Sequence, residues 1–239
     1  MKLGTFFTVD SLICAEVFSN SLDFLIIDRE HSTFSLNETR MVLNSIYKNC
    51  EKYIRVHSCN RIEIQRVLET NPDGIFVPQI NSLEAAKKAV EFSFYPPLGT
   101  RGLSPYTKPF KYSPENVDNK KIKINKNLKL CLLIEGAEGI SCLENILSEC
   151  GEEIYMIYFG LYDFCSSLGV EANWNNKKIN DELEKIIFMS SKKNIHVGTI
   201  ARSNDEIKLL KQKQVSYIVY QNDVAFINER IFELKKNLV

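Results

Sequence analysis

The chain has 239 residues, with 30 basic and 30 acidic side chains and a formal net charge of zero. That balance gives no electrostatic ground for binding nucleic acid or an anionic membrane surface. A hydrophobic content of 44% and a charged content of 25% are ordinary globular values. The length suits one α/β barrel, which typically takes roughly 250 residues. No stretch approaches the roughly 18 apolar residues of a membrane span, and the first ten residues lack a secretory h-region. The seven cysteines are odd in number and form no C-x-x-C pair. They read as small core residues in a reducing, cytoplasmic setting.

In chain order, residues 3–8 predict a first strand, followed by a helix over 11–20 with Asp10 as its N-cap. Residues 24–28 form an unbroken apolar run ending in Asp28-Arg29-Glu30-His31, the pattern of a strand buried on both faces that delivers polar residues at its C-terminal end. Ser35 with Glu38 three residues later is a capping box. A third strand, 53–56, carries Arg55; a fourth, 74–78, ends at Pro78; Ser82 then caps a helix. Residues 95–127 hold Pro96, Pro97, Gly99, Gly102, Pro105, Pro109 and Pro114 and predict a long irregular segment, functional or mobile, with a solvated lysine-rich end. Strands follow at 130–134, 154–159, 196–201 and 217–220. Helices are predicted over 140–150 and 180–193, and after Ser203, which has Glu206 at the capping-box position. A last helix is striped by Ile227, Ile231, Leu234 and Leu238.

Eight strands, each followed by a helix, imply a parallel sheet closed as a (β/α)8 TIM barrel in a single domain, 1–239. A doubly wound open sheet is the alternative, but the Gly-rich turn it normally carries after the first strand is missing.

In such a barrel the C-terminal strand ends share one mouth, which brings together Asp28, Glu30, His31, Arg55, Glu135 and Asp163. Glu135 and Asp163 are the natural metal pair, since two carboxylates in apolar surroundings repel and need a cation or a shared proton. Without thiolates, such a pair suits an oxygen-preferring ion, Mg²⁺ or Mn²⁺, with Co²⁺ or Zn²⁺ as further candidates. The alternative pairs one carboxylate with Arg55, an arginine inside a packed strand that must find an anion. His31 is a candidate general base held by Asp28. His57 and His196 suggest structural roles or a substrate contact.

Several motifs in register resemble the HpcH/HpaI aldolase/citrate lyase family. They are Asp28-Arg29-Glu30-His31, Ile54-Arg55-Val56, Gly74-Ile75-Phe76-Val77-Pro78, Pro96-Pro97-Leu98-Gly99-Thr100-Arg101-Gly102, Ile134-Glu135, Gly160-Leu161-Tyr162-Asp163-Phe164 and Ser167-Leu168-Gly169. The resemblance implies a class II pyruvate aldolase of the phosphoenolpyruvate/pyruvate superfamily. In it Glu135 and Asp163 ligate the metal, His31 with Asp28 is catalytic, and Arg55 contacts pyruvate and its enolate. Phe6 falls where many members have a pocket-lining Trp, and Glu69 where many have an Asp near a subunit contact. Gly160, Leu161, Tyr162 and Arg101 fall among the substrate contacts. The implied partners are a 2-oxo acid (pyruvate) and an aldehyde. The implied assembly is a homo-oligomer, commonly a hexamer or its trimer or dimer, with the last helix exchanged between neighbours.

Two departures stand out. Leu133 occupies a usual Gln position, and Leu161-Tyr162 replaces the usual Pro-Ser/Asn before the metal Asp. The leading expectation is a lyase acting on a 4-hydroxy-2-oxo acid. The alternatives are a CoA-thioester lyase of the citrate lyase β type and a non-catalytic barrel, the latter resting on Leu133 and Tyr162.

Overall fold

The computed structural model describes residues 1–238. In chain order its elements are β1 (Lys2–Phe7), α1 (Leu12–Ser21), β2 (Phe24–Asp28), α2 (Leu36–Ser45), β3 (Glu51–Arg55), α3 (Arg61–Leu68), β4 (Gly74–Val77), α4 (Leu83–Ser93), a 3₁₀ turn (Lys108–Phe110), α5 (Val117–Asn127), β5 (Lys129–Ile134), α6 (Ala137–Ser141), α7 (Leu143–Cys150), β6 (Ile154–Phe159), α8 (Leu161–Leu168), α9 (Lys177–Ser191), β7 (His196–Ala201), α10 (Asn204–Gln212), β8 (Tyr217–Asn222) and α11 (Asp223–Lys236). The strands pair in parallel in sequence order, and β8 returns to β1, closing the barrel. The predicted (β/α)8 architecture is what is observed.

Strand periodicity explains why the runs are apolar throughout. Phe24, Ile26, Tyr53, Phe76, Cys131, Leu133, Tyr158 and Val219 fill the barrel interior. Their neighbours Leu25, Ile27, Ile54, Ile75, Leu132, Ile134, Ile157 and Phe159 pack outward under the helices. With both faces covered, a polar side chain inside a strand must find a partner, as the Thr5 hydroxyl does on the Tyr220 carbonyl and the Thr199 hydroxyl on that of Phe159.

Helix starts follow local chemistry. Ser35 accepts from the Glu38 N–H while Glu38 accepts from the Ser35 N–H, completing the predicted capping box. Ser82 and Ser203 cap as predicted. Glu206, however, reaches the backbone N–H of Arg202, leaving Ser203 with half a box. The first helix is capped by Ser11, whose hydroxyl accepts from Cys14, and not by Asp10. The helix begins at Leu12, so only Ser11 lies three residues before a free N–H.

Residues 95–127 are less irregular than their prolines and glycines suggest. They contain the 3₁₀ turn and α5, which no apolar stripe announces because none of its residues is buried. The segment lies along the helical perimeter, away from the strand ends of the mouth. Thr100 bonds Glu91 of α4, Gly102 packs on Gln65 of α3, and Lys108 donates to Asn44 of α2.

At the N-terminal end of the barrel, Glu51 closes the floor. It accepts from Lys2 at 2.7 Å, from Lys129, and from the hydroxyls of Tyr53 and Tyr217 at 3.1 and 3.2 Å. His196 stacks here against Tyr155, at 4.8 Å between ring centroids, on the end of the barrel opposite the mouth. His57 is exposed after β3.

The two chain ends meet across β1 and β8. Asp223, fully buried at the start of α11, accepts from the backbone N–H groups of Thr8 and Val9, both at 2.8 Å, and from the Thr8 hydroxyl at 2.6 Å. Beyond it the predicted stripe of the last helix is present but uncovered: Ile227 and Ile231 are each 48% exposed and Leu238 86%.

Candidate active site at the barrel mouth

Extending each inward row by one step carries it out of the apolar interior and into the mouth. Phe24 and Ile26 lead to Asp28, Tyr53 to Arg55, Cys131 and Leu133 to Glu135, and Tyr158 to Gly160. The same parity carries Phe6 to Thr8 and Val219 to Gln221. Polar side chains therefore converge because the strands are in register, although they are far apart in sequence.

Arg55 is locked from several sides. Its Nε and Nη2 donate to the two oxygens of Asp28 at 2.9 and 2.6 Å, its Nη1 lies 3.1 Å from Glu30, and its guanidinium stacks 4.4 Å from the Phe6 ring centroid. Burial works against the charge, but Asp28 more than compensates and holds the guanidinium above its ordinary pKa. Both oxygens of Asp28 are thus engaged, and the expectation that Asp28 orients the His31 imidazole is not met. Asp28 instead accepts from the backbone N–H groups of Glu30 and His31, shaping the turn. The His31 ring is 66% exposed, with Nε2 3.9 Å from Glu30.

Glu135 follows β5 and lies directly over Gly160. A Cβ at Gly160 would stand 2.5 Å from the Glu135 Cγ, so only glycine admits this approach. Its Oε2 accepts from the Gln79 N–H at 2.9 Å. Burial, together with Glu30 and Asp163 nearby, pushes the Glu135 carboxyl up to about 7, against the pull of that hydrogen bond. Burial also raises Glu30, against the pull of Arg55 and His31. Asp163 sits in the first turn of α8, whose N-cap Gly160 provides no side-chain bond.

Glu135, half-buried and raised by burial and by its acidic neighbours, forms with the exposed Asp163 a donor set suited to a hard divalent ion. Among the described residues no three His, Cys, Asp or Glu side chains converge on one point. An ion held here by Glu135 and Asp163 would take its remaining ligands from water and substrate.

The mouth divides into two lobes that share His31 and Asp163. One, of about 290 Å³, is lined by Glu30, Gln79, Asn81, Glu135 and Glu138. The other, of about 410 Å³, is lined by Phe6, Thr8, Arg55, Tyr162, Gln221 and Asn222. Phe6 and Tyr162 line the second lobe and Gly160 packs beneath Glu135, whereas the Leu161 side chain is buried in the core between strands and helices.

Glu69 and Arg101 line neither lobe. Glu69 caps the C-terminal end of α3, the end that leads away from the mouth, and pairs at 3.3 Å with Arg101, which lies 4.5 Å from the Tyr95 ring centroid. Within the protomer they form an outer ion pair. Leu133 sits fully buried in the interior beside Tyr158, where an apolar side chain needs no partner. Gln79, Thr8, Gln221 and Asn222 were not singled out from the sequence. Counting twos past Phe6 and Val219 would have found Thr8 and Gln221. Gln79 turns inward only through a positive φ of 59° that no sequence pattern marks.

A family model described as HpcH/HpaI aldolase/citrate lyase matches residues 2–218. A 2-keto-3-deoxy-L-rhamnonate aldolase of Salmonella gallinarum is 25% identical over 190 residues, covering 78% of this chain and 70% of that protein. A 2-dehydro-3,6-dideoxy-6-sulfogluconate aldolase of Pseudomonas putida is 22% identical, covering 97% and 90%. In fold, an HpcH/HpaI aldolase/citrate lyase family protein of Burkholderia cenocepacia superposes with a TM-score of 0.90 at 18% identity, covering 99% and 94%.

Proposed function

The chain belongs to the HpcH/HpaI aldolase/citrate lyase family, and on that footing we propose that it is a metal-dependent aldolase. It would cleave a 4-hydroxy-2-oxo acid into pyruvate and an aldehyde, or run in reverse to join them. The observation that carries this reading is a carboxylate pair in the same mouth as a locked guanidinium, with Glu135 half-buried and raised and Asp163 beside it. Glu135 and Asp163 would hold Mg²⁺ or Mn²⁺, with Co²⁺ or Zn²⁺ as further candidates. When bound, the ion supplies positive charge beside the 2-oxo group.

The chain's own side chains do the rest. Arg55, fixed by Asp28, faces the oxygen on which enolate charge builds as the C–C bond breaks; being already oriented, it loses nothing to reorganisation at that moment. The free N–H groups at the start of α8, at Leu161 and Tyr162, suit the 2-oxo acid carboxylate, and Gly160 leaves room for it. Phe6 beneath Arg55 keeps bulk water out. His31, at the junction of the lobes, would take the proton of the substrate hydroxyl, directly or through a water. The uncovered stripe of α11 supports a homo-oligomer, a hexamer or its trimer or dimer, in which Glu69 stands near a subunit contact.

The test is solvent deuterium exchange into the pyruvate methyl group, followed by NMR with and without Mg²⁺ or Mn²⁺. Exchange that appears only with metal, and disappears in Arg55→Ala, is the expected result. Absence of exchange under all conditions would overturn the proposal.

A further inference from the structure

A separate cavity, of about 370 Å³, lies outside the mouth, between the end of α3 and the segment that carries α5. That volume falls in the range of small-molecule sites. Its walls are partly apolar, from Leu68, Pro109, Ile124 and Leu128. Much of the remaining lining is basic. Arg101 forms the buried part, Lys111 follows the 3₁₀ turn, and Lys120 and Lys123 lie on α5.

Arg101 is a buried cation with too few acceptors. Its side chain is 1% exposed, and its one hydrogen bond among the described residues runs from Nη2 to Glu69 at 3.3 Å. Its Nε is buried without a partner. A guanidinium presents five N–H donors in a fixed fork, and buried donors in folded proteins are nearly all matched. The lysines add charge that the chain does not cancel. Lys120 donates to the Phe110 and Ser113 carbonyls at 2.9 and 3.1 Å, which fixes its ammonium and leaves the charge in place. Lys111 and Lys123 are exposed and pair with no carboxylate among the described residues; Asp118, on the same helix as Lys123, is taken by Lys121 at 2.7 Å. Four cations thus face two acids, Glu69 and Asp73, and Asp73 already accepts from the Lys52 N–H at 2.9 Å. Lys111 and Tyr112 both take left-handed φ, 56° and 55°, which a non-glycine residue adopts at a cost, so the turn that brings Lys111 to the cavity is not a relaxed one.

We infer that this cavity is a second binding site, for a small organic anion with a carboxylate or phosphate head and a short hydrocarbon body. The fork of Arg101 matches a head that offers two oxygens. The body lies along Leu68, Ile124 and Leu128. The lysines draw anions in and turn amines away. An alcohol of the same shape leaves the guanidinium unmatched. None of Arg55, Glu135 and Asp163 takes part, so the site stands whether or not the mouth is that of an aldolase.

The experiment is calorimetric titration of the full chain with hexanoate, hexyl phosphate, hexylamine and hexanol. At least one of the two anions should bind with a Kd at or below about 1 mM, and the tighter of them identifies the head. Hexylamine and hexanol should bind at least about tenfold more weakly than that anion. Lys123→Glu, at the exposed rim, should weaken the anion by about threefold and leave metal-dependent pyruvate exchange at the parent's level. Arg101→Lys, which keeps the charge and loses the fork, should weaken it by at least about tenfold. The site is refuted if neither anion binds, if hexylamine or hexanol binds as tightly, or if Lys123→Glu binds the anion as well as the parent does.

Discussion

The two ends of the barrel each hold a half-buried glutamate, and they treat it in opposite ways. At the floor, Glu51 is surrounded by two ammonium groups and two tyrosine hydroxyls. Burial raises its pKa, but the hydrogen bonds from Lys129 and Lys2 outweigh that and leave the carboxyl below its ordinary value. At the mouth, Glu135 has one backbone N–H and two acidic neighbours and rises to about 7. The same residue type, at comparable depth, is a fully compensated staple at one end and a vacancy for charge at the other. The contrast separates structure from chemistry: a buried acid whose protein partners satisfy it is there to hold the fold, and one left short of positive charge is waiting for something else.

The largest test of that contrast is Arg55→Ala. It removes the guanidinium locked in the mouth and strands Asp28, so pyruvate exchange should fall at least about 100-fold. A cost of about 3–5 kcal/mol from the orphaned buried charge should appear in chemical denaturation.

Glu135→Gln should weaken Mn²⁺ binding, read by calorimetry or electron paramagnetic resonance, by at least about tenfold. Its effect on the metal-free fold should have the opposite sign. A carboxyl raised in the folded state is destabilising once it is forced to ionise, so at pH 8 the amide should melt higher than the parent. The gain should vanish below pH 4.5, where Glu135 is protonated both folded and unfolded. A parent that melts higher at pH 8 would mean that Glu135 has a positive partner after all.

At the floor the sign reverses. Glu51→Gln should cost about 1–3 kcal/mol near neutral pH and leave metal-dependent pyruvate exchange intact. Because the Glu51 pKa is depressed on folding, its contribution is present above its unfolded value. It is lost as the pH falls through the folded one, so the difference between Glu51→Gln and parent should close in acid. Loss of exchange in Glu51→Gln would erase the distinction between the ends.

The smallest effect concerns caps. Ser11→Ala should cost about 1 kcal/mol in thermal or denaturant unfolding and Asp10→Ala a few tenths at most. The reverse ranking would restore the N-cap that the sequence suggested.

Much of the barrel could be read in advance because its signals are local and redundant. The apolar run of 24–27, the Ser35–Glu38 box and the alternation of strand and helix patterns each point to one element. Convergence at the mouth could also be read, since parallel closure brings Asp28, Arg55, Glu135 and Asp163 to one rim whatever their spacing. What could not be read was who pairs with whom. Asp28 lies three residues from His31 and twenty-seven from Arg55, yet register partnership between β2 and β3 places it opposite Arg55. The α5 helix escaped notice because it buries nothing and so has no stripe to display. The stripe of α11 was visible, but a stripe records what a helix can cover, not whether its own chain covers it.

Asp223 has a consequence for how the chain is made. The loop after β1 is held by a carboxylate 215 positions later in sequence. The first part of the mouth to leave the ribosome is therefore among the last to be fixed. Until α11 has emerged, Thr8 and Val9 have no acceptor for their N–H groups, and the nascent barrel waits with its first and last strands apart. The site can exist only once α11 has been made.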